Sequence, residues 1–308
     1  MTINQSGSEQ RLTVVIPAKN EAENLVTLLP KLTSVVPRAE IIVVDDGSSD
    51  DTVAICKKNN VKYISHPYSM GNGASIKSGA RAAEGDILIF MDGDGQHDPD
   101  DIPKLLEQIQ AGYELVIGAR EVDTHASLLR RIGNSIYNKL ASIMTGNRIL
   151  DLTSGFRATR ARHFRKFLYL LPNGFSYPTT STMAFFRSGL PVTFVPVKAA
   201  KRIGKSNIKL FQDGTRFLLI IIKIGALYSP MRFFLPISAT IFLVGASYYL
   251  YTYINYKQFT NMSALLFTTS ILVFLIGIIS EQISALHYKG ANEDYRRTSR
   301  TDNSESID

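Results

Sequence analysis

The sequence predicts an α/β domain with a mainly parallel sheet, followed by a pair of membrane-spanning helices. Short β-rich runs alternate with segments of helical spacing from residue 12 to about residue 120. Two of the β-rich runs end in acidic residues, and two long uncharged runs lie near the end of the chain. With 308 residues, 45% of them hydrophobic and 20% charged, the chain has the composition of a folded protein with more than one part.

The first part is predicted to contain five strands and four connecting helices. The strands are LTVVIPA, AEIIVVDDGS, VKYISH, DILIFMDGDG and YELVIGAR, and the helices are AENLVTLLPKLTSVV, DDTVAICKKNN, GNGASIKSGARAAEG and DDIPKLLEQIQAG. This alternation implies βαβ units with helices on both faces of the sheet. Because ligands of such sheets bind beyond the carboxyl ends of the strands, we expect the acidic residues at those ends to share one crevice.

The last part of the chain predicts a helical membrane hairpin. The runs at 232–253 and 263–286, within residues 231–287, are long and apolar enough to cross a bilayer, and only a short connector separates them. A pair of buried core helices is the alternative interpretation. Tyrosines cluster near the connector, which favours a belt at the membrane interface.

The segments that flank these parts are polar or mixed. In residues 208–230 an apolar run is interrupted by Arg216 and Lys223, which favours an amphipathic helix on the membrane surface, with an ordinary domain helix as the alternative. Residues 1–10 are predicted to be flexible, and the polar tail at 288–308 is predicted to be disordered.

Basic residues outside the hairpin predict its orientation. Arg232 precedes the hairpin and Lys289, Arg296 and Arg297 follow it, whereas Lys257 is the clear charge in the connector. By the positive-inside rule, the α/β domain and both termini are expected on the cytoplasmic side of a bacterial or archaeal cell membrane.

The charge and the cysteine content limit the classes of function. A net charge of +7 suggests an anionic partner, which could be nucleic acid, a phosphorylated ligand or an acidic lipid. Nucleic acid is disfavoured because no binding motif appears and the arginines adjoin the membrane segments. The single cysteine, Cys56, excludes an intrachain disulfide framework and a cysteine-rich zinc site. The first strand ends in PAKNEAEN without glycine, which argues against a dinucleotide-binding turn.

The carboxylates in FMDGDGQHD indicate a metal site. Asp92 and Asp94 are two residues apart in an extended segment, so both side chains can point to one side. Two adjacent carboxylates repel unless a cation lies between them, and oxygen ligands favour Mg²⁺ or Mn²⁺. Such an ion commonly takes its other ligands from phosphates and water, so the acids imply a diphosphate ligand. A solvated acidic loop is the alternative.

These motifs carry a resemblance to a known family. VVIPAKNEAENL, IIVVDDGSSDDT, GNGASIKSGA, GDILIFMDGDGQHDP and ELVIGAR, in this order, resemble the family-2 glycosyltransferases of GT-A fold. The D-x-D-x-Q pattern, the later DLTSGFR and the hairpin are similar to the polyprenyl-phosphate glycosyltransferases, which include dolichyl-phosphate mannose synthase. The resemblance covers roughly residues 10 to 285. It implies a GT-A catalytic domain at 11–207 and inverting transfer of a sugar from a UDP- or GDP-linked donor to undecaprenyl or dolichyl phosphate.

The resemblance also implies roles for individual residues. The residues expected to bind the nucleotide sugar are Pro17, Glu21, Asp46, Asp92, Gln96 and Arg120. Those expected at the lipid phosphate are Arg131, Ser135, Arg202 and Lys205. The metal ligands would be Asp92 and Asp94, and the catalytic residues would be Asp94, Arg131 and Asp151. Asp46 would read the base or ribose, and Arg120 would lie by the phosphates. For Asp151 three roles stay open: accepting a proton, orienting an arginine, or capping a turn.

Two rival functions use the same catalytic fold. A processive polysaccharide synthase would carry a Q-x-x-R-W motif, but this sequence contains no tryptophan. An inactive membrane-bound sensor of nucleotide sugars is disfavoured by the presence of Asp92, Asp94 and Arg131. Relatives of this type can self-associate, so a homo-oligomer is left open. The sequence does not identify the sugar.

Overall fold

The computed structural model describes residues 10–120, 128–174, 176–198 and 228–304. The chain divides into two compact units: Met1–Ser142 with Asn147–Ile208, and Ile143–Gly146 with Lys209–Asp308. Most of the amphipathic helix expected at 208–230 lies outside the described residues, as do residues 1–9 of the flexible N-terminus.

The first unit is built on one seven-stranded sheet with the order β3-β2-β1-β4-β6-β5-β7. Its strands are β1 Leu12–Ala18, β2 Glu40–Asp45, β3 Lys62–Ser65, β4 Ile87–Phe90, β5 Leu115–Arg120, β6 Arg157–Arg160 and β7 Val192–Val197. β1 pairs in parallel with both β2 and β4, and β5 pairs in parallel with β7. The mainly parallel sheet and the five strands that the sequence predicts are therefore confirmed.

The first four helices of this unit connect β1 to β5, a fifth follows β5, and two more lie between β6 and β7. They are α1 Ala22–Val35, α2 Thr52–Lys58, α3 Asn72–Ala82, α4 Ile102–Gln110, α5 Leu128–Thr145, α6 Ala161–Lys166 and α7 Tyr177–Arg187. A short 3-10 turn at Pro99–Asp101 leads into α4. All four helices that the sequence predicts between the strands are present.

Helices cover both faces of the sheet because the strand side chains alternate in direction. Val14 and Ile16 of β1 belong to the core cluster that also contains leucines at helical spacing on α1, namely Leu25, Leu28, Leu29 and Leu32. Val15 faces the other way, toward α3. Gly79 of α3 lies so close that a Cβ there would overlap Val15 Cγ1. A small residue at this point lets α3 approach the sheet closely.

β6 is the one described strand that runs against its neighbours, since it pairs antiparallel with both β4 and β5. Residue Gly155, in the segment that leads into β6, thereby lies beside Asp92 in the segment that follows β4. The sequence pattern does not predict β6 or β7, and the insertion of β6 shapes the candidate site.

The second unit contains two long apolar helices, α8 Pro230–Tyr256 and α9 Asn261–Ser304. In length and composition, Pro230–Tyr256 and Asn261–Leu286 are each able to cross a membrane, and 11% and 17% of their most apolar windows are buried. Helices of a soluble core would be mostly buried, so this exposure supports the hairpin interpretation. Lys257 adopts left-handed backbone angles (φ 54°) at the end of α8.

The two long helices pack through small side chains at every seventh position. On α8 these are Ser238, Gly245 and Thr252, and on α9 they are Ser263, Ser270, Gly277 and Ser284. Ser238 Oγ donates to the Ser270 carbonyl at 3.0 Å, and Ser270 Oγ donates back to the Ser238 carbonyl at 3.0 Å. Small and hydroxyl-bearing residues at such a seam allow close backbone approach between apolar helices.

Helix α9 continues to Ser304, so the prediction of a disordered tail from residue 288 differs from the structure. A helix that already exists is extended at the gain of one hydrogen bond for each residue fixed. Ala291, Glu293 and Arg296 favour helix, and residues 288–304 contain no proline. The helix therefore continues through residues 288–304 although they lack a periodic apolar pattern.

Candidate active site

The candidate site lies at the carboxyl edge of the sheet, where β1, β4 and β5 end. Asp92 and Asp94 follow β4 directly, and both carboxylates are partly exposed. The buried Pro17 of β1 accepts a hydrogen bond through its carbonyl from Gly93 N at 3.3 Å. Asp94 Oδ1 accepts from Gln96 N at 3.2 Å, which shapes the turn after the acidic pair. Four residues predicted to bind the nucleotide sugar or its metal ion thus lie at the ends of the neighbouring strands β1 and β4. They are Pro17, Asp92, Asp94 and Gln96.

Two walls enclose the Asp92 carboxylate. On one side, Asn72 Nδ2 at the start of α3 lies 3.4 Å from Asp92 Oδ1, and Asn72 Oδ1 is buried without a hydrogen bond among the described residues. On the other side, a Cβ on Gly155 would lie 3.0 Å from Asp92 Cγ and would overlap Oδ2. The sequence gives no sign of these roles for Asn72 and Gly155, since close approach between distant segments leaves no local pattern.

Arg120 is held beside the acidic pair by Asp151. Arg120 Nε donates to Asp151 Oδ2 at 2.8 Å, and Nη2 donates to Asp151 Oδ1 at 3.1 Å and to Thr153 Oγ1 at 2.7 Å. Burial opposes the charge of this guanidinium, but the ion pair and the nearby charges of Asp92 and Asp94 outweigh burial and raise the pKa of Arg120. A cation is therefore fixed in place at the end of β5.

Asp151 also organises the turn that leads toward β6. Its Oδ1 accepts from Thr153 N and Ser154 N, both at 3.1 Å. Burial would raise the pKa of the Asp151 carboxyl, but the hydrogen bonds and the charge of Arg120 outweigh burial and lower it. A carboxylate with a lowered pKa is a weak proton acceptor. Two of the open alternatives, orienting an arginine and capping a turn, are thus both present in the geometry.

Asp46 holds a loop of its own chain. Its carboxylate accepts hydrogen bonds from Ser69 Oγ at 2.7 Å, Met70 N at 2.8 Å and Gly71 N at 2.9 Å, and it lies 2.9 Å from His66 Nδ1. Burial opposes its ionisation, yet these hydrogen bonds prevail and lower the pKa of Asp46 to about 2. The carboxylate of Asp46 therefore binds the loop between β3 and α3, and its expected contact with the base or ribose stays a prediction.

The loops after β1 and β2 are tied to each other near Glu21. Asn20 N donates to Ser48 Oγ at 2.9 Å, Glu21 N donates to Thr52 Oγ1 at 3.2 Å, and Ala22 N at the start of α1 donates to Asp50 Oδ2 at 3.0 Å. Asn20 has a φ of 56°, which asparagine tolerates better than most residues. Glu21 is thereby fixed at the edge of the crevice, and its Oε2 accepts from Asn24 Nδ2 at 2.6 Å.

Three amides at the start of α3 already donate hydrogen bonds within the protein, and one of them is Gly71 N, which donates to Asp46 Oδ2. Gly73 N donates to the Gly174 carbonyl at 3.2 Å, and Ala74 N donates to the Asn173 carbonyl at 3.1 Å. Helix N-termini bind phosphate through amides that lack a partner. The loop at 173–174 therefore occupies donors that a phosphate would need.

His97 is a buried residue three positions after Asp94. The side chain is 6% exposed, its ring stacks on Phe156 with centroids 5.1 Å apart, and burial lowers its pKa to about 4.

A divalent cation fits the donor set at this edge. Among the described residues, no group of three or more His, Cys, Asp or Glu side chains is placed to hold a metal ion. Asp92 and Asp94 offer oxygen ligands, which is the chemistry that Mg²⁺ and Mn²⁺ prefer. A cation held by these two residues would need ligands from a diphosphate and water.

The residues predicted at the lipid phosphate are only partly described. Ser135 is exposed on α5, the helix that also contains Arg131. The side chain of Arg131 lies outside the described part of the chain, and Arg202 and Lys205 fall in the segment 199–227, which is outside it altogether.

Comparison with known proteins supports the glycosyltransferase family that the motifs resemble. The model of glycosyl transferase family 2 matches residues 13–168, and a model named GtrB C-terminal hairpin matches residues 229–286. The undecaprenyl-phosphate mannosyltransferase of Micrococcus luteus is 30% identical over 217 residues, which span 64% of this chain and 87% of the relative. The polyprenol monophosphomannose synthase of Mycolicibacterium smegmatis is 29% identical over 208 residues, which span 63% of this chain and 78% of the relative.

Solved structures show the same fold. The glucosyl-3-phosphoglycerate synthase of Mycobacterium tuberculosis, in complex with Mn²⁺, UDP and glucosyl-3-phosphoglycerate, aligns with a TM-score of 0.58 at 19% identity. The alignment covers 71% of this chain and 80% of that chain. The family match spans half of the sequence and agrees with the mainly parallel GT-A sheet described above. The chain therefore belongs to glycosyl transferase family 2.

Proposed function

We propose that this protein transfers a sugar from a UDP- or GDP-linked donor to a polyprenyl phosphate, undecaprenyl or dolichyl phosphate, with inversion at the anomeric carbon. The observation that carries this proposal is the grouping of Asp92 and Asp94 with the Arg120–Asp151 ion pair. The names of the two relatives support a polyprenyl-phosphate acceptor. The complex of the tuberculosis enzyme with Mn²⁺ and UDP supports a nucleotide donor.

Asp92 and Asp94 are the proposed ligands of a divalent cation, which would neutralise the developing charge of the leaving diphosphate. Arg120 is proposed to contact the same diphosphate. Asp151 fixes two of the guanidinium nitrogens, Nε and Nη2, so that the cation is oriented before the ligand binds. Orientation in advance of the reaction lowers the cost of reorganisation when charge develops.

The acceptor requires no strong base. The second pKa of a phosphate monoester is about 6, so its oxygen is already ionised at neutral pH. In the proposed displacement this oxygen forms the new bond to the anomeric carbon while the bond to the diphosphate breaks, and the electron pair leaves with the nucleoside diphosphate. The lowered pKa of Asp151 agrees with a positioning role rather than a basic one. Arg131 and Ser135 remain the proposed contacts of the lipid phosphate.

The acceptor explains the second unit. A polyprenyl chain stays in the bilayer, and a hairpin of two apolar helices would keep the catalytic unit at its surface. We propose that both termini and the catalytic unit lie on the cytoplasmic side, because basic residues flank the hairpin. Replacing the single cysteine by Cys56→Ser and adding Gln258→Cys in the connector tests this. A membrane-impermeant thiol reagent should label intact cells, and labelling only after lysis would contradict the orientation.

A transfer assay tests the reaction. Purified full-length protein in detergent would be incubated with Mn²⁺, undecaprenyl phosphate and, in turn, a panel of UDP- and GDP-sugars, and the lipid fraction would be analysed by mass spectrometry. We expect one sugar linked to the lipid through a single phosphate. Nucleotide binding without any lipid product, for either undecaprenyl or dolichyl phosphate, would contradict the proposed acceptor class.

A further inference from the structure

Arg157 is a fully buried arginine that opens β6, with a relative exposure of 0%. Among the described residues, no carboxylate oxygen lies within 4.0 Å of the Arg157 guanidinium, so Arg157 forms no ion pair with them. Arg120, Arg160 and Arg162, by contrast, pair with carboxylates. Burying a cation is costly unless several hydrogen bonds compensate, so the partners of Arg157 need an explanation.

The guanidinium of Arg157 joins two segments of the catalytic unit. Nη1 donates to the Pro178 carbonyl at 3.0 Å, to Ser181 Oγ at 2.7 Å and to Thr182 Oγ1 at 3.2 Å, all in the first turns of α7. Nη2 donates to the Ser154 carbonyl. Arg157 therefore fastens the loop that contains Ser154 to the start of α7.

The same loop forms a wall of the Asp92 carboxylate. Gly155, the next residue after Ser154, packs directly against the carboxylate. Tyr177 OH at the start of α7 donates to the Gly155 carbonyl at 3.3 Å, and the Tyr177 ring lies 5.7 Å from the Arg157 guanidinium. Arg157 and Tyr177 together bind the carbonyls of Ser154 and Gly155, the main chain that packs against the Asp92 carboxylate.

The opposite wall is fastened to the segment just before α7. Asn72 faces Asp92 from α3, and the amides after it donate to the carbonyls of Asn173 and Gly174. Lys77 Nζ on the next turn of α3 donates to the Leu171 carbonyl at 3.1 Å. Both walls of Asp92 thus depend on the segment 171–182.

We propose that Arg157 is a positioning residue, which through Ser154, Gly155 and Tyr177 sets the place of the Asp92 carboxylate for binding a divalent cation with a nucleoside diphosphate. This inference rests on the proposed function, since it requires Asp92 to serve as a cation ligand. Arg157 itself touches neither the cation nor the substrate in this proposal.

A positioning role and a purely electrostatic role predict opposite changes in cation affinity when Arg157 is replaced. Removal of a nearby positive charge would strengthen cation binding if charge alone mattered. Removal of the guanidinium that holds the Ser154 carbonyl would weaken cation binding, because the neighbouring Gly155 would no longer be held against the Asp92 carboxylate. Residues that orient metal ligands typically change metal affinity by about 10- to 100-fold when they are replaced.

The test is Mn²⁺ binding to the full-length protein in the presence of UDP, measured by titration calorimetry. We expect Arg157→Met to weaken Mn²⁺ binding by about tenfold or more. Arg157→Lys should also weaken it, because a single ammonium cannot reproduce the planar fork. The matched control is Arg160→Met in the same strand, where the arginine pairs with Glu114 and bonds to the Ile109 carbonyl rather than to the loop at 154–155. It should bind Mn²⁺ like the parent protein.

A second variant keeps the test decisive if Arg157→Met does not fold. Tyr177→Phe removes one hydroxyl and keeps the ring, and it should weaken Mn²⁺ binding about threefold with the melting temperature little changed, since one hydrogen bond is lost. Unchanged or tighter Mn²⁺ binding in Arg157→Met would overturn the proposal. If Arg157→Met does not fold, the same result in Tyr177→Phe would overturn it. Failure of the parent protein to bind Mn²⁺ and UDP at all would instead contradict the proposed function.

Discussion

Gly155 packs its Cα against the carboxylate of Asp92, so that a side chain at position 155 would meet Asp92 Cγ at 3.0 Å and overlap Oδ2. The contact joins two segments that are far apart in the sequence: the turn before β6 and the turn after β4. The carboxylate of Asp92 cannot move toward Gly155 unless the main chain there moves as well. The position of a candidate metal ligand is therefore limited on one side by a residue without a functional group.

Gly155→Ala should reduce turnover strongly while leaving the fold intact. The added methyl group would displace the Asp92 carboxylate, and a shift of about 1 Å in a reacting geometry can reduce the rate about 100-fold. Steady-state transfer to the lipid measures the effect. Gly174→Ala is the matched control, since a Cβ there meets nothing within 4 Å. Equal activity of the two variants would contradict this account of Asp92.

Asp94→Asn should lower turnover at least about 100-fold, because a bridging cation stabilises the leaving group by several kcal/mol and about 2.7 kcal/mol corresponds to that factor. Asp100→Asn serves as the control, since Asp100 is exposed and pairs with Lys31 at 2.9 Å. Both variants are assayed over a range of Mn²⁺ concentrations. Activity of Asp94→Asn that recovers fully at high Mn²⁺ would limit Asp94 to a contribution to affinity.

Arg131→Ala should raise the KM for polyprenyl phosphate about tenfold or more, because a hydrogen bond to a charged group contributes about 1.5–3 kcal/mol. Binding of UDP, measured by calorimetry, should change less than twofold. Lys139→Ala, an exposed residue on the same helix, provides the comparison. A comparable loss of nucleotide binding in Arg131→Ala would move this arginine from the acceptor side to the donor side.

The alternating part of the fold could be predicted from the sequence because β1 to β5 carry their own signals. Each is a β-rich run between turn residues, and in β1, β2, β4 and β5 the apolar residues are mostly buried. β6 could not be predicted in this way: RATR has four residues, two of them arginine. It is a strand because β4 and β5 lie on either side of it and complete its hydrogen bonds.

The candidate site can be predicted from the sequence in part. Asp92 and Asp94 follow a β-rich run and are visible as an acidic motif, and the family resemblance implies Arg120 and Asp151. The sequence does not reveal the walls formed by Asn72 and Gly155, since they depend on close approach between distant segments. Nor does it reveal the hydrogen bonds that Asp46 accepts from the loop after β3.

His97 gives the catalytic unit a pH-dependent stability. Burial lowers its pKa to about 4, below the usual 6.5, so the unfolded chain binds more protons between these values. The free energy of unfolding should fall as the pH drops from 6.5 toward 4, by at most about 3 kcal/mol from this group. Denaturant titration of the parent and His97→Gln at several pH values isolates the contribution. Parallel pH profiles of the two proteins would contradict it.

The small residues between α8 and α9 predict where the hairpin tolerates bulk. Gly277 is buried in the seam, and a Cβ there would lie 2.9 Å from Phe234 Cβ. Gly277→Leu should therefore separate the helices, with an overpacking cost of about 1–3 kcal/mol. Ile276→Leu changes the neighbouring residue, whose side chain is 51% exposed, and should be neutral. The two variants are compared by the midpoint of SDS-induced unfolding, measured from the ellipticity of the full-length protein.

The same midpoint for Gly277→Leu and Ile276→Leu would mean that the small residues at every seventh position do not hold the hairpin together. A lower midpoint for Gly277→Leu alone would show that close backbone approach stabilises it, because leucine is otherwise the more favourable residue in an apolar helix.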